Sequence, residues 1–136
     1  MILVIGCGRL GSNFAMRMAE AGHDVTVLDW DRGNFASYLP KEFPGRSFVG
    51  MEIDAEILRR AGIEESSVVV IVSRDEATNM MVADLAREVF AIERIIVRID
   101  QPRLRTLYEE AGYEVLSPVL EAALSLERRV EAMGSR

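Results

Sequence analysis

The apolar positions of this chain alternate between a strand-like and a helix-like spacing from one end to the other. Met1 to Ile5 is an unbroken apolar run that predicts a buried strand. After Gly6-Cys7-Gly8-Arg9-Leu10-Gly11, the residues Leu10, Phe14, Met18 and Ala21 recur at helical spacing, with Ser12, Asn13, Arg17 and Glu20 falling elsewhere. This predicts an amphipathic helix over residues 10–21, ended by Gly22. Asp24 to Leu28, followed by Asp29, predicts the second strand. Residues 31–45, with Gly33, Pro40, Pro44 and Gly45, predict a short irregular helix between turns, leading into a third strand at Arg46 to Val49.

The second half repeats the alternation. Asp54 is a suitable N-cap for a helix carrying Ile57, Leu58 and Ala61 and stopped by Gly62. Ser67 to Val72 is almost uninterrupted apolar sequence, as a central parallel strand covered on both faces requires. A helix at about Asp75 to Phe90 is apolar around much of its circumference, so one face is expected on the sheet and another is available to a partner. Arg94 to Ile99 gives a fifth strand, Leu104, Leu107, Tyr108 and Ala111 a helix closed by Gly112, and Glu114 to Leu116 a sixth strand. Ser117-Pro118 then caps a last helix, with proline where its missing amide costs nothing. Val119, Ala123, Leu126, Val130 and Met133 form a seam along it, widened by Leu120 and Leu124, that suits either the chain's own sheet or another subunit. Six strands alternating with helices predict an α/β, doubly wound Rossmann fold: a six-stranded parallel sheet in the order 3-2-1-4-5-6 with helices on both faces. One domain is expected over residues 1–133, with 134–136 as a tail.

The turn after the first strand carries the candidate chemistry. Gly6 suits a tight turn, Gly8 lets a pyrophosphate approach the backbone, and Gly11 allows the helix to pack closely on the strand. The free amides and partial positive charge of the helix N-terminus favour an anionic phosphate there. Asp29 lies eighteen positions beyond Gly11, close to the offset of about 20 at which an acidic residue meets a ribose diol. Its charge repels a 2′-phosphate and so disfavours NADP; Arg32, close by, is read as a solvated charge near Asp31. Arg9 reads as a phosphate clamp or a solvated surface arginine, and Cys7 as a buried filler or a thiolate stabilised at the helix N-terminus.

Composition narrows the classes. The 136 residues fit one domain, and 49% hydrophobic content excludes general disorder. A net charge of −6 argues against a nucleic-acid partner. One cysteine excludes an internal disulfide framework, and with one histidine it gives no metal cluster. The strand beginning at Met1 leaves no room for a signal peptide, and no apolar run approaches the length of about 20 that crosses a bilayer, so a cytosolic protein is expected. The inventory for turnover is poor: His23 falls before the second strand, at the sheet edge opposite the expected site, and no Tyr-x-x-x-Lys pair exists. Binding without turnover is the preferred reading. The alternatives are an NAD-dependent oxidoreductase completed by a partner chain and an interaction module whose glycine turn is vestigial.

Several stretches in their order resemble one family. These are Gly-x-Gly-Arg-x-Gly, the strand ending in Asp29, Asp54-Ala-Glu-Ile-Leu-Arg-Arg-Ala-Gly-Ile-Glu-Glu, Val68-Val-Val-Ile-Val-Ser, Asp75-Glu-Ala-Thr-Asn79 and Ser117-Pro118. Together they are similar to the RCK_N, TrkA-N or KTN family, the cytosolic Rossmann domains that regulate potassium channels and potassium uptake systems. The resemblance implies binding of NAD(H) or of ATP, ADP or AMP, assembly into dimers or rings, and attachment to a membrane potassium transporter or channel subunit. It implies a cytoplasmic location peripheral to the membrane, without direct insertion, and a regulatory role with no catalytic residues.

Carried over by position, Gly6, Cys7, Gly8, Arg9, Leu10 and Gly11 surround the phosphates and Asp29 takes the ribose, with Trp30 beside it. Where the family usually has Gly-Asp-Ala-Thr to line the adenine, this chain reads Gly50-Met51-Glu52-Ile53, and Glu52 offers a carboxylate one position along. Ser73 and Arg74 close the fourth strand above the crevice, and Arg98 is a ligand residue, an interface residue or an ion-pair partner. Many relatives continue into a second ligand-binding domain; this sequence is read either as a single-domain member or as a part of a longer chain.

Overall fold

The computed structural model describes residues 1–134; Ser135 and Arg136, the end of the stretch read as a tail, lie outside the described residues. Six strands, β1 (Ile2–Ile5), β2 (Val25–Asp29), β3 (Arg46–Val49), β4 (Val68–Ile71), β5 (Ile95–Arg98) and β6 (Glu114–Leu116), form one parallel sheet in the order β3-β2-β1-β4-β5-β6. Between and after them run α1 (Arg9–Glu20), α2 (Arg32–Tyr38), α3 (Ala55–Arg60), α4 (Glu76–Glu88), α5 (Pro102–Glu110) and α6 (Pro118–Glu131). The expected order is therefore the observed one, with element ends moved by a residue or two. A single 3₁₀ turn at Ile63–Glu65 is additional; three residues are too few to show a period in sequence.

The sheet divides the core by strand alternation. On one face Leu3, Ile5, Val69, Ile71 and Val97 pack with Leu58 of α3 and Val82, Ala83 and Ala86 of α4. On the other, Ile2, Val4, Val25, Val27 and Val70 pack with Ala15, Leu10, Phe14 and Met18 of α1. β1 is buried at every position, which is why it reads as a continuous apolar run; β2 is equally buried although it carries Thr26 and Asp29, whereas the edge strand β3 is largely exposed and carries Arg46 and Ser47. Each large side chain fully buried in this way contributes about 1.5–3 kcal/mol.

The helices stop and start on identifiable chemistry. Asp54 and Asp75 cap α3 and α4 with their carboxylates. Gly22 follows α1 with a φ of +94°, a left-handed conformation that disfavours a side chain. Ser117 departs from expectation. It stands at the N-cap position of α6, but its hydroxyl donates to the Ile99 carbonyl. The amide of Val119 instead donates to Asp100 Oδ1 at 2.9 Å, so the cap is a carboxylate nineteen residues away.

The winding runs from β1 outward to β3 and then crosses back to β4 on the other side of β1. The C-terminal ends of β1 and β4 therefore diverge, and the crevice of a doubly wound sheet opens between them. Residues after β1, β2, β3 and β4 all reach that edge. His23, before β2, lies at the opposite one.

Candidate functional site

The three glycines of the first turn are held for different reasons. Gly6 has a φ of +102°, and a Cβ there would come within 2.7 Å of the Ser73 backbone. A Cβ on Gly11 would stand 1.9 Å from the Gly6 carbonyl oxygen. Both positions are thus fixed by the contact between the turn, α1 and the end of β4. Gly8 is different: its backbone is extended, and a Cβ would meet nothing within 4 Å. Nothing in the fold requires glycine there, yet its missing side chain leaves open the space in front of the α1 N-terminus.

Asp29, the last residue of β2, is 5% exposed and already engaged. Its Oδ2 accepts the Cys7 amide at 2.8 Å and Asn34 Nδ2 at 3.2 Å, and its Oδ1 accepts the Asp31 amide at 2.8 Å. A carboxylate offers about four acceptor positions, so one remains on Oδ1. Asp29 therefore latches the glycine turn to the end of β2 as well as facing the cleft. Sequence reading singled out Asp29 but missed Asn34, a residue of α2 whose role depends on the fold.

Glu52 lies beside it, 3% exposed, its Oε1 accepting the Trp30 amide at 3.1 Å. Burial pushes its carboxyl above the ordinary glutamate range. The backbone amides of Glu52 and Trp30 pull it back, and the charges of Asp29 and Asp75 raise it further. Trp30 itself projects outward, 61% exposed. Across the crevice, Ser73 is held by Asn79: its hydroxyl donates to Asn79 Oδ1 at 2.6 Å, and Asn79 Nδ2 donates to the carbonyls of Ser73 and Arg98. Asn79 is fully buried and ties the β4 turn to the end of β5.

These elements enclose a cleft of about 320 Å³. Gly6, Cys7 and Gly8 line it from the turn, Asp29, Trp30 and Glu52 from one side, and Ser73, Arg74, Asp75 and Thr78 from the other. Asp31 and Asn34 complete it. Arg32 is exposed and does not contribute.

The remaining candidates fall elsewhere. Met51 is half exposed and outside the cleft wall. Leu10 directs its side chain into the core against α1's face of the sheet. Arg9 is exposed, 6.0 Å from the ring centroid of Tyr38. Arg98 pairs with Asp100 at 3.6 Å, both side chains about four-fifths buried. Cys7 is fully buried, its thiol pushed up to about 12 by burial and then by Asp29, so the filler reading holds and the thiolate reading does not.

No residue of α6 is buried, and Val119, Leu126, Val130 and Met133 are each more than 60% exposed. The apolar seam therefore does not pack on the chain's own sheet. Among the described residues no helix is long and apolar enough to cross a membrane.

Sheet order, glycine turn and acidic strand end together define a doubly wound Rossmann domain. Residues 2–118 match the model of the TrkA-N domain, and the chain belongs to that family. The Trk system potassium uptake protein TrkA of Streptomyces coelicolor is 36% identical over 134 residues, covering 98% of this chain and 60% of that protein. This chain thus spans about 60% of that relative's length.

Among solved structures, the AMP-bound Kef C-terminal domain of Shewanella denitrificans superposes with a TM-score of 0.80 at 18% identity, covering 98% of this chain and 82% of that one. GsuK bound to ADP gives 0.80 at 22% identity, covering 97% and 34%. The GsuK channel bound to NAD gives 0.71 at 16%, covering 85% and 21%. At these identities the likeness is one of fold.

Proposed function

We propose that the chain is a nucleotide-sensing regulatory unit of a potassium transport system, binding an adenine nucleotide or NAD(H) in the cleft at the carboxyl edge of its sheet. The observation that carries this reading is Gly8, a glycine with no role in the fold that leaves room for a phosphate against the α1 amides. The free acceptor position of Asp29 takes a ribose hydroxyl, Glu52 lies where the base or ribose enters, and the exposed indole of Trp30 offers a face for stacking. Carboxylates at Asp29, Asp31 and Glu52 make the ribose end hostile to a 2′-phosphate, which disfavours NADP.

The link to potassium rests on the Streptomyces relative and the family. In this reading residues 1–133 form one unit that pairs with copies of itself through the exposed seam of α6. The assembly attaches to a membrane transporter or channel subunit from the cytoplasmic side, and a ligand biases the gate by favouring one arrangement of paired units. The role is binding rather than catalysis: the cleft wall holds no histidine or lysine, and its one thiol, Cys7, is buried and pushed up to about 12. Titration of the purified chain with AMP, ADP, ATP, NAD and NADH tests the reading. Binding that is lost in Gly8→Ala supports it, and no binding by any of the five refutes it.

A further inference from the structure

The charge of the cleft is at odds with the ligand it is read to take. Asp29 and Asp31 line it from the end of β2, Glu52 from the loop after β3 and Asp75 from the start of α4. None of these four carboxylates makes an ion pair among the described residues, and Arg74, the basic residue of the wall, is exposed and makes none either. An anion therefore enters a space already charged against it, where partly buried charges are screened less than surface ones. The penalty falls if one carboxylate takes up a proton.

Hydrogen bonding singles out which one. Asp29 accepts from the Cys7 amide, the Asn34 side chain and the Asp31 amide. Asp75 caps α4, accepting from the amides of Ala77 and Thr78 and from the Thr78 hydroxyl. Asp31 caps α2 through the Gly33 amide. A proton on any of these three competes with donors that the glycine turn or a helix end already uses. Glu52 caps no helix. It is 3% exposed, and among the described residues the Trp30 amide, at 3.1 Å, is the one donor its side chain meets on another residue. The Gly50 amide donates to the Asp29 carbonyl at 3.1 Å, which holds the Glu52 loop beside the end of β2. Burial lifts the Glu52 carboxyl above the ordinary glutamate range, against the pull of the Glu52 and Trp30 amides, and the charges of Asp29 and Asp75 lift it further. The other ionisable groups of the cleft wall are the Asp31 carboxylate, the Cys7 thiol and the Arg74 guanidinium.

We propose that an anionic nucleotide enters this cleft together with one proton, carried on the Glu52 carboxyl, so that the site loosens its hold on the ligand as pH rises. The proposal rests on the nucleotide reading above and adds its regulation. Phosphate charge favours the neutral form of Glu52, and the neutral carboxyl gains an O–H that donates to an acceptor on the base or ribose. Because the ligand raises the pKa of Glu52, affinity is greatest below the value in the free protein. It falls, by up to about tenfold per pH unit, until the value in the complex is passed.

The test is calorimetric titration of the 136-residue chain with NAD and with ADP, near pH 6 and near pH 8, in buffers of different ionisation enthalpy so that proton uptake is read directly. The phosphates of NAD do not titrate in this range. The terminal phosphate of ADP does, but equally for parent and variant, so their difference isolates the protein. The parent is expected to take up protons on binding and to bind about tenfold more weakly near pH 8 than near pH 6. Glu52→Gln, which keeps an oxygen for the Trp30 amide, should lose that uptake and bind NAD equally at both pH values. No proton uptake by the parent with NAD, or the same uptake in parent and variant, would overturn the proposal and leave the nucleotide site standing. Failure of both ligands to bind at either pH would bring down both.

Discussion

The amide of Cys7 donates to Asp29 Oδ2 at 2.8 Å, joining the glycine turn after β1 to the end of β2 through two buried residues. In the proposed reading, the residue that would meet a ribose is thus also a part of the scaffold that shapes the glycine turn. Asp29→Ala would strand the Cys7 and Asp31 amides and the Asn34 side chain together. Losses of about 1–3 kcal/mol are typical when a buried donor loses its acceptor. The expected outcome is a clear drop in the urea midpoint as well as in nucleotide affinity. An unchanged midpoint would mean that the latch contributes nothing to stability.

Glu52→Gln separates charge from hydrogen bonding. Glutamine keeps an oxygen for the Trp30 amide and removes a buried carboxylate whose pKa is raised chiefly by desolvation. Because the folded value exceeds the unfolded one, the unfolded chain gives up its proton first as pH rises, and the stability this group confers in acid is lost between the two values. The variant should therefore match the parent near pH 4 and exceed it in stability near pH 7. Denaturant midpoints at both pH values decide this; a variant weaker than the parent by the same margin at both would contradict it.

Cys7 should be inert in the native protein. With its thiol pushed up to about 12 and no exposed surface, alkylation at neutral pH is expected only after denaturant opens the core. Rapid labelling of the folded chain, followed by mass spectrometry, would show that the turn opens on its own.

The α6 seam gives a prediction about assembly. Since no residue of α6 is buried within the chain, Leu126→Glu and Val130→Glu should leave the melting temperature of the single unit intact while abolishing the pairing proposed through this seam. Sedimentation at micromolar concentration reads the result directly. A parent chain already monomeric there would remove α6 as the assembly surface.

Much of this arrangement is legible in the sequence. β1 and β4 read as apolar runs because both faces of a central strand are covered, and Asp29 stands out because its spacing from Gly11 reflects the α1 crossover between β1 and β2. What stayed hidden depends on partners distant in sequence. The capping of α6 by Asp100 rather than Ser117, the clamp of Asn79 on Ser73 and Arg98, and the donation of Asn34 to Asp29 carry no periodic signal. The burial of Glu52 follows from its loop folding beneath Trp30, which the residue types alone do not reveal.

Gly8 offers the most direct test of the central claim, because its substitution separates binding from folding. A Cβ there enters open space from an extended backbone, so Gly8→Ala should leave stability unchanged or raise it by about 0.4–1 kcal/mol through the unfolded chain. If a phosphate occupies that space, the same methyl group should weaken ADP binding by about tenfold or more, equivalent to about 1.4 kcal/mol. Calorimetric titration of parent and variant with ADP, beside their thermal melts, gives both numbers. Lost affinity with intact stability is the predicted result; equal affinity in the two proteins would contradict a nucleotide site at this turn.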